Sequence, residues 1–439
     1  MRLTPEKVLV LKQSDRKSVV EAFSRLSLST GNWLPISHPA ANGIDLSVHK
    51  TGGSCPITGT NLAEYLAIAA PTHWADGWSY LSRALNSYFV GDAHSAWHFA
   101  YYAELRAAQS ILSASGCGAF NRWNCILDNL GHIHTFGKEQ THDIVWQALE
   151  GLTDLSAGAS SDIAKATSVF GHALPNIVQF AYPGISVATT SSNWIHEWMF
   201  DLTTSAADKG FRNRCSYDPH IVTPHRSDLS GVVDTVVSIW VALQPVPGAT
   251  FMELDKQLIQ VALEKAARDS LILKGQTPCD GSVIAELKNA YARIISSAPT
   301  FQSVPENFIA RANVQHSILT HARNASPTPD TPQPVIARAT LLLRIATGVT
   351  QNLLKDAGQS NSLDFWLDEL AERQGIVVDR SSIPPDRREF HSDCATAAED
   401  LDNRFSNGSK NLASLFSHPD VKPHLFSQLE RVGQWSLSP

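Results

Sequence analysis

Residues 91–116 read GDAHSAWHFAYYAELRAAQSILSASG, and this stretch decides the fold class. Trp97, Phe99, Ala100, Ala103, Ala107, Ile111 and Leu112 make a helix apolar over more than half its circumference, so other elements must cover it on several sides. Gly116 stops it. Just upstream, Trp78, Leu81, Leu85, Tyr88 and Phe89 recur at three- and four-residue steps as the stripe of another helix. Gly91 and Asp92 break the first helix and cap the second. So short a break predicts an antiparallel helical hairpin.

Working outward, residues 1–60 read as loosely ordered, with a short helix over Val19–Leu28 and a loop over Gly31–Gly59. Helical order starts near Asn61. Asn176–Thr190 has no helical period and holds the Pro183-Gly184 turn signal, and Asp218–Asp228 reads as loop. Val232–Leu243 fits a buried strand or a short helix equally well. From Phe251 the chain is helical again, including Val283–Ala298 and a helix over Glu306–Arg323 that follows Pro305. Ser326–Pro334 (SPTPDTPQP) is the best linker. Beyond it, Val335–Ala357 is a long apolar helix with Pro334 at its start and Gly358 past its end. Leu363–Gln374 and weaker helices over Asp386–Pro439 complete the reading. The expected fold is mostly α. A loosely ordered segment at 1–60 precedes a helical bundle at 61–325 with an irregular insertion at about 175–250. A linker at 326–334 and a helical unit at 335–439 follow.

The length of 439 residues predicts more than one small core, and 43% hydrophobic with 18% charged residues is a globular balance. A net charge of −7 is mildly acidic, so any nucleic-acid contact would have to be local. No secretory signal and no run long enough to span a membrane is expected. The six scattered cysteines contain no CxxC pair and fit a reducing cytoplasm.

The segment AWHFAYYAELRAAQSIL, with the helix that leads into it, resembles the second helix of HEPN domains, which are built on four-helix bundles and often carry an alanine-flanked YYA pattern. The resemblance covers about Trp78 to Phe120. HEPN ribonucleases carry an arginine followed after about four to six residues by a histidine, and Arg311 and His316 match that spacing. Arg214 and His220 are similarly spaced, beside Pro219. The chemistry suits cleavage of RNA without metal or cofactor. A histidine takes the 2′-OH proton near neutrality, and an arginine holds the phosphorane charge with its fixed fork. The resemblance thus implies a HEPN-like bundle at 61–325, His316 as acid/base, Arg311 as phosphate stabiliser, and Glu104 facing the motif to orient His316. It also implies an RNA substrate, a homodimer and a stress or phage-defence setting. The alternative is a non-catalytic helical scaffold or regulatory subunit of a multiprotein complex, which the low-charge stretches and eleven tryptophans favour.

Other constellations are thinner. His132 and His134, with His142 nearby, could chelate a metal if 132–134 were a strand, but no strand is evident there; His94 and His98 are four apart on a helix. No Walker A, GxGxxG or GxSxG pattern occurs. Trp194 and Trp198 read as core or interface anchors, or as a base-stacking surface.

Overall fold

The computed structural model describes residues 3–26, 33–34, 37–40, 57–153, 165, 167–169, 172–184, 202–217, 229–313, 316–323, 331–360, 362–408 and 411–437. The fold is mostly helical, as expected. Among the described residues, no helix is long and apolar enough to cross a membrane.

Two short helices open the chain, α1 (Pro5–Leu11) and α2 (Lys17–Arg25), where one was expected. The expected hairpin follows as α3 (Gly59–Phe89) and α4 (Ala93–Ala114). Thr58 and Asp92 cap the two helices with side-chain oxygens that accept the backbone N–H of Asn61 and Ser95. Between them Gly91 adopts φ 87°, a left-handed turn conformation that glycine reaches without strain. Trp74, Trp78, Leu81, Leu85, Tyr88 and Phe89 of α3 are all buried, facing Trp97, Ala100, Ala107 and Ile111.

A three-stranded antiparallel sheet comes next: β1 (Cys117–Phe120), β2 (Trp123–Leu127) and β3 (Ile133–Gly137), in that order. The sequence reading missed it. The strands are four or five residues long, too short for an alternation to stand out. The turn joining β1 to β2 is Asn121-Arg122, with Arg122 at φ 66°. A residue other than glycine or asparagine at that φ gives no hairpin signal.

Then come α5 (Thr141–Thr153), α6 (Leu174–Ala181), α7 (Leu202–Tyr217), α8 (Leu229–Ala242), α9 (Met252–Leu273) and α10 (Asp280–Ser297). The described parts of the expected irregular insertion are therefore mainly helical. In α6, Leu174, Ile177, Val178 and Ala181 are buried at helical spacing behind Pro175 in the first turn, so a reading that starts at Asn176 cuts the period in half. The β-branched run after Leu229 resolves as a helix. The expected helix over Glu306–Arg323 is two short ones, α11 (Glu306–Ile309) and α12 (Ser317–Arg323). α13 (Gln333–Asp356), α14 (Asp364–Arg373), α15 (Glu389–Ser406) and three short C-terminal helices complete the chain.

α13 is the central element. Every residue from Pro334 to Thr350 is buried, which marks a helix covered on all sides. It packs on both α3 and α4, and at Gly77 the approach is so close that a Cβ would lie 2.5 Å from Leu343 Cδ2. One continuous core runs from Leu11 to Leu437, so the segment after the proline-rich stretch shares its core with the hairpin. Polar groups inside α13 are paired. Arg344 makes a two-pronged contact with Asp255 of α9, at 2.6 Å from Nε to Oδ1 and 3.1 Å from Nη2 to Oδ2. Trp74 Nε1 donates to Thr347 Oγ1 at 2.8 Å.

Arg344 and Asp255 are 1% and 0% exposed, so removing one partner strands a buried charge. Asp255→Ala should lower unfolding free energy by roughly 3–5 kcal/mol, and Asp255→Leu with Arg344→Met should recover most of the loss. Urea denaturation of the three chains checks this; equal losses in the single and double variants would contradict it.

Candidate functional site

Arg311 and His316 flank a break between helices rather than sharing one. The first helix stops at Ile309, where Ala310 leaves helical geometry at ψ 57°, and Asn313 follows in a left-handed conformation at φ 55°. Carboxylates of neighbouring helices hold that kink: the Asn313 backbone N–H lies 3.1 Å from Glu264 Oε1, and its Nδ2 donates to Asp280 Oδ1 at 2.6 Å. Arg268 Nη2 donates to Asn313 Oδ1 at 3.0 Å.

The structure nevertheless brings both residues of the pair onto one aromatic ring. The Arg311 guanidinium lies 4.4 Å from the Phe308 centroid, and the His316 ring stacks on the same residue at 6.0 Å. Arg311 Nε donates to the Phe308 carbonyl at 2.9 Å. Gln260 of α9 then ties the turn down, its Nε2 donating to the Arg311 carbonyl at 2.9 Å and its Oε1 lying 3.3 Å from His316 Nε2. His316 is 9% exposed. Burial, aided by the charges of Arg311 and Arg323, pushes its ring down to about 4, so it is neutral at physiological pH. As Gln260 Oε1 can only accept, His316 carries its proton on Nε2.

Glu104 is elsewhere. It is 2% exposed and accepts from Arg338 Nε of α13 at 3.2 Å, while Arg338 Nη2 reaches Asp208. Glu104 is therefore committed to Arg338 and His316 to Gln260, and the expected orienting contact between them is not made. Burial pushes the Glu104 carboxyl up, against the pull of Arg338, and Asp208 adds to the rise. With two carboxylates on one guanidinium, and Glu104 Oε2 buried without a hydrogen bond, a proton is easily held here.

The histidine candidates also separate. His134 lies on β3 and His132 just before it, and both meet Asp128 Oδ2, at 2.8 Å and 3.3 Å. Asp128 closes the β2–β3 turn by accepting the backbone N–H groups of Leu130 and His132. Its carboxyl is lowered: partial burial opposes ionisation, but the bonds from His134, His132 and Leu130 outweigh it. His142 belongs to a different cluster, its Nδ1 3.0 Å from Tyr101 Oη. His98 Nδ1 meets Ser216 Oγ at 2.8 Å. No group of three or more potential ligands is placed to hold a metal ion among the described residues. Trp194, Trp198 and His220 lie outside the described residues.

One feature was not anticipated: a cavity of about 280 Å³ between α3, α4, β1 and the start of α5. Tyr65 and His73 line it from α3, Arg106 and Gln109 from α4, and Phe120 from β1. Arg106 Nη1 donates to His73 Nδ1 and to Gln109 Oε1, each at 3.2 Å. Burial and the Arg106 charge push His73 down to about 3, so it too is neutral. The available signal was the AELRAAQ polar edge of α4. Residues two apart on a helix point about 200° away from each other, so Glu104 and Arg106 cannot share a face.

No family model matches the chain, and neither a curated protein nor a solved structure does.

Because folding lowers the His316 ring from 6.5 to about 4, the unfolded chain binds more protons between those values. The contribution of His316 to stability is therefore present above pH 6.5 and is lost as pH falls toward 4. In NMR titration the His316 ring should stay neutral until about pH 4, and His316→Gln should flatten, without abolishing, the fall in Tm across that window. A midpoint near 6.5 would mean that the ring is solvated.

Proposed function

We propose that this chain is a non-catalytic helical protein, a scaffold or regulatory subunit, in which Arg311 and His316 are architectural. One observation carries this reading: both members of the pair are spent on the protein itself, on Phe308 and Gln260. A metal-independent ribonuclease needs a histidine that can reach a 2′-OH and exchange protons near neutrality. His316 is buried, its ring is held at about 4, and its Nε2 is taken by Gln260. The arginine of such an enzyme is positioned by phosphate, whereas Arg311 is held against its own helix turn, its guanidinium over Phe308 and its Nε on the Phe308 carbonyl. The net charge of −7 also supplies little general attraction for RNA. The HEPN resemblance then bears on the bundle rather than on an activity, and the partner is another protein chain or a second copy of this one.

The full chain and His316→Ala should be incubated with a mixed RNA pool in EDTA, in parallel. The expected result is no 2′,3′-cyclic phosphate ends from either, with a lower Tm for the variant. Cleavage by the wild type that disappears in His316→Ala would replace the scaffold with a ribonuclease. Cleavage that persists in a folded variant would place an RNA-cutting site elsewhere on the chain.

A further inference from the structure

We propose that the cavity bounded by His73, Arg106, Gln109 and Phe120 is a binding site for a small organic monocarboxylate with an apolar body. At about 280 Å³ it lies just below the range typical of small-molecule sites, roughly 300–1,000 Å³, so a metabolite fits and a peptide or RNA strand does not.

Donors cluster on one part of the lining, at His73, Arg106 and Gln109, beside the two-way polar groups of Ser113, Asn121 and Thr141. Arg106 is its one charged residue at neutral pH, and no carboxylate lines the space. The hydrogen bonds of Arg106 to described residues run through Nη1, and its buried Nε faces Asp76 Oδ2 at 3.5 Å, which leaves Nη2 as the guanidinium donor for a ligand. Since Arg106 donates to His73 Nδ1, the proton of the neutral imidazole sits on Nε2, making His73 a second donor. Gln109 has its carbonyl oxygen occupied by the same guanidinium, which leaves its amide N–H groups to donate. An anion satisfies such a set, and a cation or an acceptor-poor ligand does not.

Two observations narrow the anion. Asp76, exposed on α3, has Oδ2 3.5 Å from Arg106 Nε and takes up part of its charge, so the site suits one negative charge better than two. Phe120, from β1, gives the lining an aromatic surface, held edge-on by Tyr65 at 5.7 Å and stacked on Trp123 at 5.5 Å. A carboxylate at Arg106 with a hydrocarbon or aromatic body against Phe120 uses both parts of the lining. The site does not depend on the scaffold reading, since none of its residues takes part in the Arg311–His316 turn.

Titration calorimetry of the full chain with benzoate and isovalerate tests this, with benzamide as the uncharged isostere of benzoate and inorganic phosphate as the anion without a body. Saturable one-to-one binding of a carboxylate is expected, at least tenfold tighter than benzamide or phosphate. Arg106→Gln should weaken it at least tenfold. Should that variant not fold, Ala119→Phe fills the cavity from β1, keeps every charge and should give the same loss. The proposal is overturned by failure of both carboxylates to bind the folded wild type, by benzamide or phosphate binding as tightly, or by undiminished carboxylate binding to a folded Ala119→Phe chain.

Discussion

The guanidinium of Arg344 lies in the middle of the core, and its paired bonds to Asp255 fix where α13 comes to rest. An arginine so deep is tolerated only with its charge and donors matched, so α13 can settle in one rotational and axial position relative to α9. The same helix carries Arg338 six residues earlier, which engages Glu104 of α4 and Asp208 of α7. Two arginines on one buried helix thus reach three carboxylates on three others. Hydrophobic burial drives the assembly, but it is non-directional. The ion pairs select one arrangement among the many that would bury similar area, and the close contact at Gly77 follows from that selection.

Much of this was legible in the sequence. The α3–α4 hairpin follows from two apolar stripes and a glycine, and α13 from an apolar run between Pro334 and Gly358. The three-stranded sheet was hidden because its turn uses Arg122 at positive φ, where tertiary packing overrides local preference. The Glu306–Arg323 segment has helix-compatible residues throughout, yet it breaks after Ile309, and Glu264 and Asp280, from two other helices, hold Asn313 within the break. No local pattern reports such partners. Glu104 could have been placed from the sequence: it falls on the stripe of Ala100, Ala107 and Ile111, so the helical period already put it inside. Its counter-charge lies 234 positions away, beyond any spacing argument.

The Arg311–His316 turn and the α3–α4 cavity use the same residue types to opposite ends. At the turn, arginine and histidine serve the fold: one lies over an aromatic ring and gives Nε to a backbone carbonyl, and the other is capped by an amide. In the cavity the guanidinium fixes the tautomer of its histidine through Nη1 and keeps Nη2 in reserve. Spacing along the chain distinguishes neither case.

The central place of α13 also governs the order in which the molecule can be completed during synthesis. α3 and α4 leave the ribosome more than two hundred residues before the helix that fills the groove between them, as the Trp74–Thr347 bond, spanning 273 positions, makes plain. Until then Glu104, Asp208 and Asp255 have no arginine, and their carboxylates stay in water rather than enter a core. The hairpin can form early, but its inner face stays open and apolar while the intervening chain is made. A nascent chain of this design spends most of its synthesis as an unfinished bundle with apolar surface exposed to aggregation, and closes only when its last quarter arrives.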